Sequence, residues 1–170
     1  VEKIKHFVSK EAFNIDGLGK KIVENFWKLG LIKLPQDIFN LDYNKITKIE
    51  GWGRLSVENL KFSINQKRQI PLERFIYSLG IRHIGLENAK LIARHLKSIL
   101  NFLKLYENKN IDNLSNIDGI GPTQIQSIKK FFLNKTNLNV LFELNKALKV
   151  KNVIQNNNDG LLKNKTFMLT

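Results

Sequence analysis

A backbone turn that leads into a helix can bind a phosphate with its own N–H groups, and four stretches of this 170-residue chain have the residues for it. They read Ile15-Asp16-Gly17-Leu18-Gly19, Ile49-Glu50-Gly51-Trp52-Gly53, Ile81-Arg82-His83-Ile84-Gly85 and Ile117-Asp118-Gly119-Ile120-Gly121. Their third residues fall at 17, 51, 83 and 119, in steps of 34, 32 and 36. Glycine at the third position lets the chain turn sharply, and glycine near the helix start leaves the first N–H groups unpaired. Such N–H groups form a concave anion site, and the helix dipole adds partial positive charge there. A phosphate fits that site without any base being read.

One Gly-x-Gly could be any turn, but a unit recurring at nearly constant spacing means one supersecondary module copied and packed against its neighbours. The most economical reading is an all-α fold, an array of four helix–hairpin–helix motifs that grips DNA through its backbone. The candidate contacts are the amides at and after Gly17 and Gly19, Gly51 and Gly53, and Gly119 and Gly121, helped by Lys20, Lys21, Arg54 and Thr123. The third copy is weaker, with His83 where the others have glycine, and contributes Arg82, His83 and Gly85. Arg82 stays charged and can bind a phosphate with a bidentate fork. For His83 a hydrogen bond to phosphate and a packed, neutral side chain stand level. One or more turns could instead only hold helices together. Trp52 reads as core sooner than as a stacking surface. A β-branched residue at Gly121 is expected to distort the fourth turn.

Charge agrees with a polyanionic partner. The chain carries 28 Lys and Arg against 15 Asp and Glu, a net charge of +13. Yet 23 of the 28 are Lys and there are 21 Asn, a bias that base composition of a genome also produces. Most of the lysines read as solvated helix faces. Lys129, Lys130 and Lys135 extend the basic character without standing out. With no Cys there is neither a disulfide nor a thiolate metal site, and His6, His83 and His95 are too dispersed to suggest a metal cluster. No apolar run is long enough for a bilayer, and the first residues lack a signal-peptide pattern, so a cytoplasmic location is expected.

The elements that must position these turns are helical almost throughout. The spacing predicts a short helix over 7–13 and its partner over 20–29, ended by Gly30. Pro35 opens a helical turn to Phe39, and 44–49 leads into the second phrase. Val57, Leu60 and Ile64 recur at helical spacing over 54–66. Pro71 suits a helix start and Gly80 its end. Further helices are predicted over 87–96, 98–105 and 111–116. Another begins at Pro122, carrying Ile125, Ile128 and Phe132, and the last covers 137–148. After Leu148 the composition turns polar, and Asn156-Asn157-Asn158-Asp159-Gly160 reads as linker. Lys165 to Thr170 has strand character and then stops, so the chain is expected to be a fragment cut at the first strand of another domain.

A family resemblance rests on three of these segments. Pro71-Leu72-Glu73-Arg74-Phe75-Ile76-Tyr77-Ser78-Leu79-Gly80-Ile81-Arg82-His83-Ile84-Gly85 closely resembles a signature stretch of bacterial NAD-dependent DNA ligases, in which a His at position 83 is expected. His6 to Ala12, on through Asp16-Gly17-Leu18-Gly19, looks like the segment after the ligase's four-Cys zinc finger. Leu162 to Thr170 is similar to the start of its C-terminal BRCT domain. The resemblance implies a helix–hairpin–helix domain over 1–148, a linker over 149–164 and the first strand of a truncated BRCT domain over 165–170. It also implies contacts to nicked double-stranded DNA on both sides of the nick, in an enzyme that seals nicks in replication and repair. The other domains of the same ligase are the further partners, and a monomer in the nucleoid-associated cytoplasm is implied, with no membrane partner.

The resemblance also implies what the chain lacks. The ligase adenylates the Lys of a Lys-x-Asp-Gly motif in a separate domain. Here Asn14-Ile15-Asp16-Gly17 and Asn116-Ile117-Asp118-Gly119 carry Asn instead, which cannot form a phosphoramidate. NAD, Mg and Zn are thus implied for the full-length ligase, with none bound by this segment, no catalytic residue here and no ligation from it alone. Two other classes stay open: a non-ligase repair or junction-binding module with paired helix–hairpin–helix motifs, and a protein-interaction scaffold.

Overall fold

The protein is described by a computed structural model over residues 1–107 and 110–154. It is mostly helical. In chain order the elements are α1 (Glu2–Phe7), α2 (Lys20–Lys28), α3 (Tyr43–Ile46), α4 (Arg54–Gln66), β1 (Gln69–Pro71), α5 (Leu72–Ser78), α6 (Leu86–Leu96), α7 (Ile99–Leu103), α8 (Pro122–Leu133), α9 (Lys135–Ala147) and β2 (Lys149–Lys151). Short 3-10 segments over Pro35–Asn40, Lys104–Tyr106 and Asn110–Asn116 complete it. The helices after the four Gly phrases are α2, α4, α6 and α8. Each turns one apolar face inward at helical spacing, as in Val57, Leu60 and Ile64 of α4 or Ile125, Ile128 and Phe132 of α8.

These faces meet in one contiguous core. The Phe7 and Phe13 rings stack with centroids 4.2 Å apart, and Phe39 meets them at 6.2 and 5.8 Å. Farther along the chain Phe132 packs on Phe102 at 5.5 Å and on Phe131 at 5.4 Å. Two arginines tie distant segments together. Arg68 donates to the carbonyls of Phe39 (2.8 Å) and Ala147 (3.2 Å) and to Asn65 Oδ1 (3.0 Å). Arg74, in α5, donates to the carbonyls of Lys10 (3.0 Å) and Ala12 (2.8 Å). A guanidinium suits this work because its five donors are fixed in one plane.

Two expectations are corrected. The first helix covers residues 2–7, not 7–13. Ser9 Oγ donates to the His6 carbonyl at 2.6 Å, and the carbonyls of Lys10 and Ala12 are taken by Arg74, so residues 8–13 form turns instead. The boundary after Leu148 also falls inside the folded unit. Lys149–Lys151 pairs in parallel with Gln69–Pro71, Ile70 opposite Val150, and the Val153 N–H donates to the Lys97 carbonyl at 2.8 Å. Residues 149–153 are therefore no free linker, and the fold is not helical alone. The expected linker beyond 154 and the BRCT strand over 165–170 lie outside the described residues.

Candidate nucleic-acid interface

The four Gly phrases follow one backbone path. In each, the N–H of the fourth residue donates to the carbonyl of the first: Leu18 to Ile15, Trp52 to Ile49, Ile84 to Ile81 and Ile120 to Ile117, at 3.0–3.2 Å. The third residue is left-handed every time, with φ of 83° at Gly17, 88° at Gly51, 66° at His83 and 97° at Gly119. His83 thus departs in sequence but not in geometry, since His is among the residues that tolerate this region. The fifth residue is an extended glycine that caps the following helix: Gly19, Gly53, Gly85 and Gly121. Each of these glycine carbonyls accepts the N–H four residues on, at 2.9–3.1 Å.

The helix starts sort by what precedes them. Helices α3, α7 and α9 follow no Gly phrase, and the side chains of Asp42, Ser98 and Asn134 accept their first amides. Before α2, α4 and α6 the cap is glycine and no side chain takes up the amides. A Cβ built on Gly19, Gly53 or Gly85 would meet nothing within 4 Å, so the approach to these amides is open. The fourth turn differs: Gln124 Oε1 accepts the Gly121 N–H at 2.9 Å, and Pro122 has no N–H to offer. Its remaining first-turn donors are the amides of Thr123 and Gln124. Gly121 has φ −108°, which suits any residue, but an added Cβ would lie 3.3 Å from Gln124 Oε1, so a β-branched side chain there presses on the capping glutamine and not, as expected, on the backbone of the turn. Gly119 is the sensitive position. Its φ is 97° and an added Cβ would lie 3.1 Å from the Leu91 Cδ1.

The turns come in adjacent pairs. Gly17 and Gly51 line one groove of about 540 Å³ together with Asp16, Glu50 and Trp52. Trp52 packs on Phe26 at 5.4 Å, half-buried against the core, which is where a hairpin Trp was expected. Arg82 and His83 face the start of α8 across a second open groove, of about 790 Å³. There His83 Nδ1 lies 3.0 Å from Ser127 Oγ, so its partner is a side chain of the neighbouring helix.

Lys20, Lys21, Arg54, Arg82 and Thr123 are all exposed, as are every glycine named above except the half-buried Gly121. No ion pair or side-chain hydrogen bond among the described residues holds any of these five side chains. Arg68 and Arg74 are committed to carbonyls, which leaves Arg54 and Arg82 as free guanidinium groups beside the turns. The second position of the turns is acidic at Asp16, Glu50 and Asp118 and cationic only at Arg82. The second groove is also lined by Lys3, Gln126 and Ser127, which sequence reasoning missed, and by Lys130, which it named without setting it apart from its neighbours. For Gln126, Ser127 and Lys130, the 3-and-4 spacing from Thr123 along α8 was a usable signal. Lys129 faces elsewhere and pairs with Asp112 at 2.7 Å. Among the described residues no group of three or more His, Cys, Asp or Glu could hold a metal ion, and no helix is long and apolar enough to cross a membrane.

Comparison with known proteins bears on this geometry. A family described as the helix-hairpin-helix motif matches residues 74–141, which span the third and fourth turns. Over all 170 residues the chain is 75% identical to a DNA ligase of Pelagibacter ubique (strain HTCC1062), covering 25% of that protein. The chain resembles a helix–hairpin–helix segment of DNA ligases. All of it also aligns with the DNA ligase of Wolbachia pipientis wMel at 42% identity, and 99% of it with that of Rickettsia canadensis (strain McKiel) at 41%. The chain spans about a quarter of the length of the curated relatives it matches, 25–27% of each. The matched residues contain the third and fourth turns and, apart from Lys3, the lining of the second groove.

Proposed function

We propose that this segment binds the sugar–phosphate backbone of duplex DNA around a nick, without reading sequence, as the clamping part of an NAD-dependent DNA ligase. The observation that carries the reading is the shared turn: four copies of one path, three of them opening onto helix amides that no side chain occupies. All four are read as helix–hairpin–helix motifs, with Gly17, Gly19, Gly51, Gly53, Gly85, Gly119 and Gly121 supplying the turns. Lys20, Lys21, Arg54, Arg82, His83 and Thr123 flank them. Amides at a helix start and free cations are what a phosphate needs, and neither discriminates between bases.

The chemistry of joining belongs elsewhere in such a ligase. With no Cys in the chain, and Asn14 and Asn116 where an adenylated Lys would stand, the residues present do not fit zinc, NAD or an adenylate. NAD, Mg and Zn would serve the full-length enzyme, which would act as a monomer in the nucleoid-associated cytoplasm. Fluorescence anisotropy on nicked and intact duplexes of one sequence tests the reading. Salt-steep binding to both supports a backbone clamp, and tighter binding to the nicked duplex places part of nick recognition in these turns. Binding to neither, or a preference for a four-way junction, would overturn it.

A further inference from the structure

The two grooves between paired turns differ in charge. The groove of turns one and two is lined by the carboxylates of Asp16 and Glu50 and by no cation. The groove of turn three and α8 is lined by Lys3, Arg82 and Lys130 and by no carboxylate. We propose that this second groove is a side-chain cradle for a further stretch of duplex backbone, continuing from the amide sites past Arg82 and Thr123, which border both, to Lys130. The inference rests on the DNA reading above.

Its donors run along one face of α8. Thr123, Gln126, Ser127 and Lys130 stand at intervals of three and four from the first. Seven residues of helix rise about 10 Å, the axial length that holds about three phosphates of one strand. Thr and Ser hydroxyls and the Gln amide donate to phosphate oxygens, while Arg82 and Lys130 supply charge from opposite walls. Neither cation is engaged by an acidic partner among the described residues. The contact between His83 and Ser127 bridges the two walls and holds turn three against α8. Of the two rings that line the groove, Phe131 is buried in the core and His83 is held edge-on by Ser127 Oγ at 3.0 Å, so the groove offers no free aromatic platform on which an unpaired base could stack. That absence favours a paired duplex presenting its backbone over a single strand.

Helix α8 carries its own control. Lys129 and Lys130 are adjacent and equally charged, but Lys129 faces away and pairs with Asp112. Lys130→Gln, Lys129→Gln and Arg82→Gln each remove one charge from the full chain, at exposed positions for Lys130 and Arg82 and at a half-buried one for Lys129. Anisotropy would be measured for each on a duplex and on one of its single strands across salt, after circular dichroism confirms folding. The expected result is a loss of roughly three- to tenfold for Lys130→Gln and Arg82→Gln on the duplex, with the salt slope flatter by about 0.9 each. Lys129→Gln should change binding less than twofold. Equal losses for Lys129→Gln and Lys130→Gln would reduce the effect to general basicity and overturn the cradle, as would tighter binding to the single strand. A wild-type chain that binds no duplex would instead overturn the reading on which the cradle rests.

Discussion

The second turn offers a way to separate folding from binding, because Gly51 and Gly53 are two residues apart and serve different ends. Gly51 sits at φ 88°, where an L side chain is strained whatever the space around it. Gly51→Ala should therefore cost about 1–2 kcal/mol, the penalty of the left-handed conformation. For a chain of this size that lowers Tm by about 2–8 °C. Gly53 sits at φ −85° and ψ 173°, an extended conformation that β-branched residues accept, and an added Cβ meets nothing within 4 Å. For Gly53→Val the poorer cap costs up to about 1 kcal/mol, and the stiffer unfolded chain returns about 0.4–1 kcal/mol. The two nearly cancel, so Tm should stay within about 2–3 °C of wild type. The valine methyl groups, however, stand in the open approach to the amides of α4. Losing that phosphate removes charge-assisted hydrogen bonds worth about 1.5–3 kcal/mol, which weakens duplex binding by tenfold or more. Thermal denaturation followed by circular dichroism and anisotropy on one duplex read the two quantities independently. Unchanged binding by Gly53→Val would show that the amides of the second turn touch no phosphate, and the reasoning would fail there.

Other perturbations give equally definite outcomes. Arg54→Ala should weaken binding on every sequence alike and flatten the salt slope by about 0.9, with Tm unchanged; anisotropy on unrelated duplexes checks it. Arg74→Met should leave the part-buried Ala12 carbonyl without its donor, at about 1–3 kcal/mol, and lower Tm by several degrees while the salt slope of the folded protein is unchanged. Glu24 is held below the usual carboxylate range by the Lys5 ammonium at 3.1 Å and by Lys28 at 3.4 Å. Its folded pKa is thus below the unfolded one, so its contribution is present at neutral pH and lost as pH falls through the depressed value. Wild-type and Glu24→Gln Tm values should differ slightly at neutral pH and converge in acid, as a pH series of melts would show.

What the sequence reveals here is what short range decides. The turns were legible because five residues determine them: a left-handed third position, an extended glycine and apolar residues to bury on either side. The helices after them were legible for the same reason, since their apolar period is local. Position 83 shows the limit of residue identity, because a His adopts φ 66° where a glycine pattern leads one to expect an exception. Long-range ties were not legible. Lys149–Lys151 looks like the start of a linker until Gln69–Pro71 is beside it, and nothing near either segment encodes that pairing. The helix expected over 7–13 gave way to turns whose carbonyls Arg74 holds from more than 60 residues away. Likewise Lys129 and Lys130 are indistinguishable as letters. Only the placement of Asp112 on one side of α8 and Arg82 on the other gives them different surroundings.

The most direct test of the central claim is the salt dependence of binding to several duplexes of unrelated sequence. Backbone binding through the turns predicts the same affinity on each, with log affinity falling against log salt by about 0.9 for every phosphate engaged. A shallow slope, or affinities that differ tenfold or more between sequences at fixed salt, would contradict it.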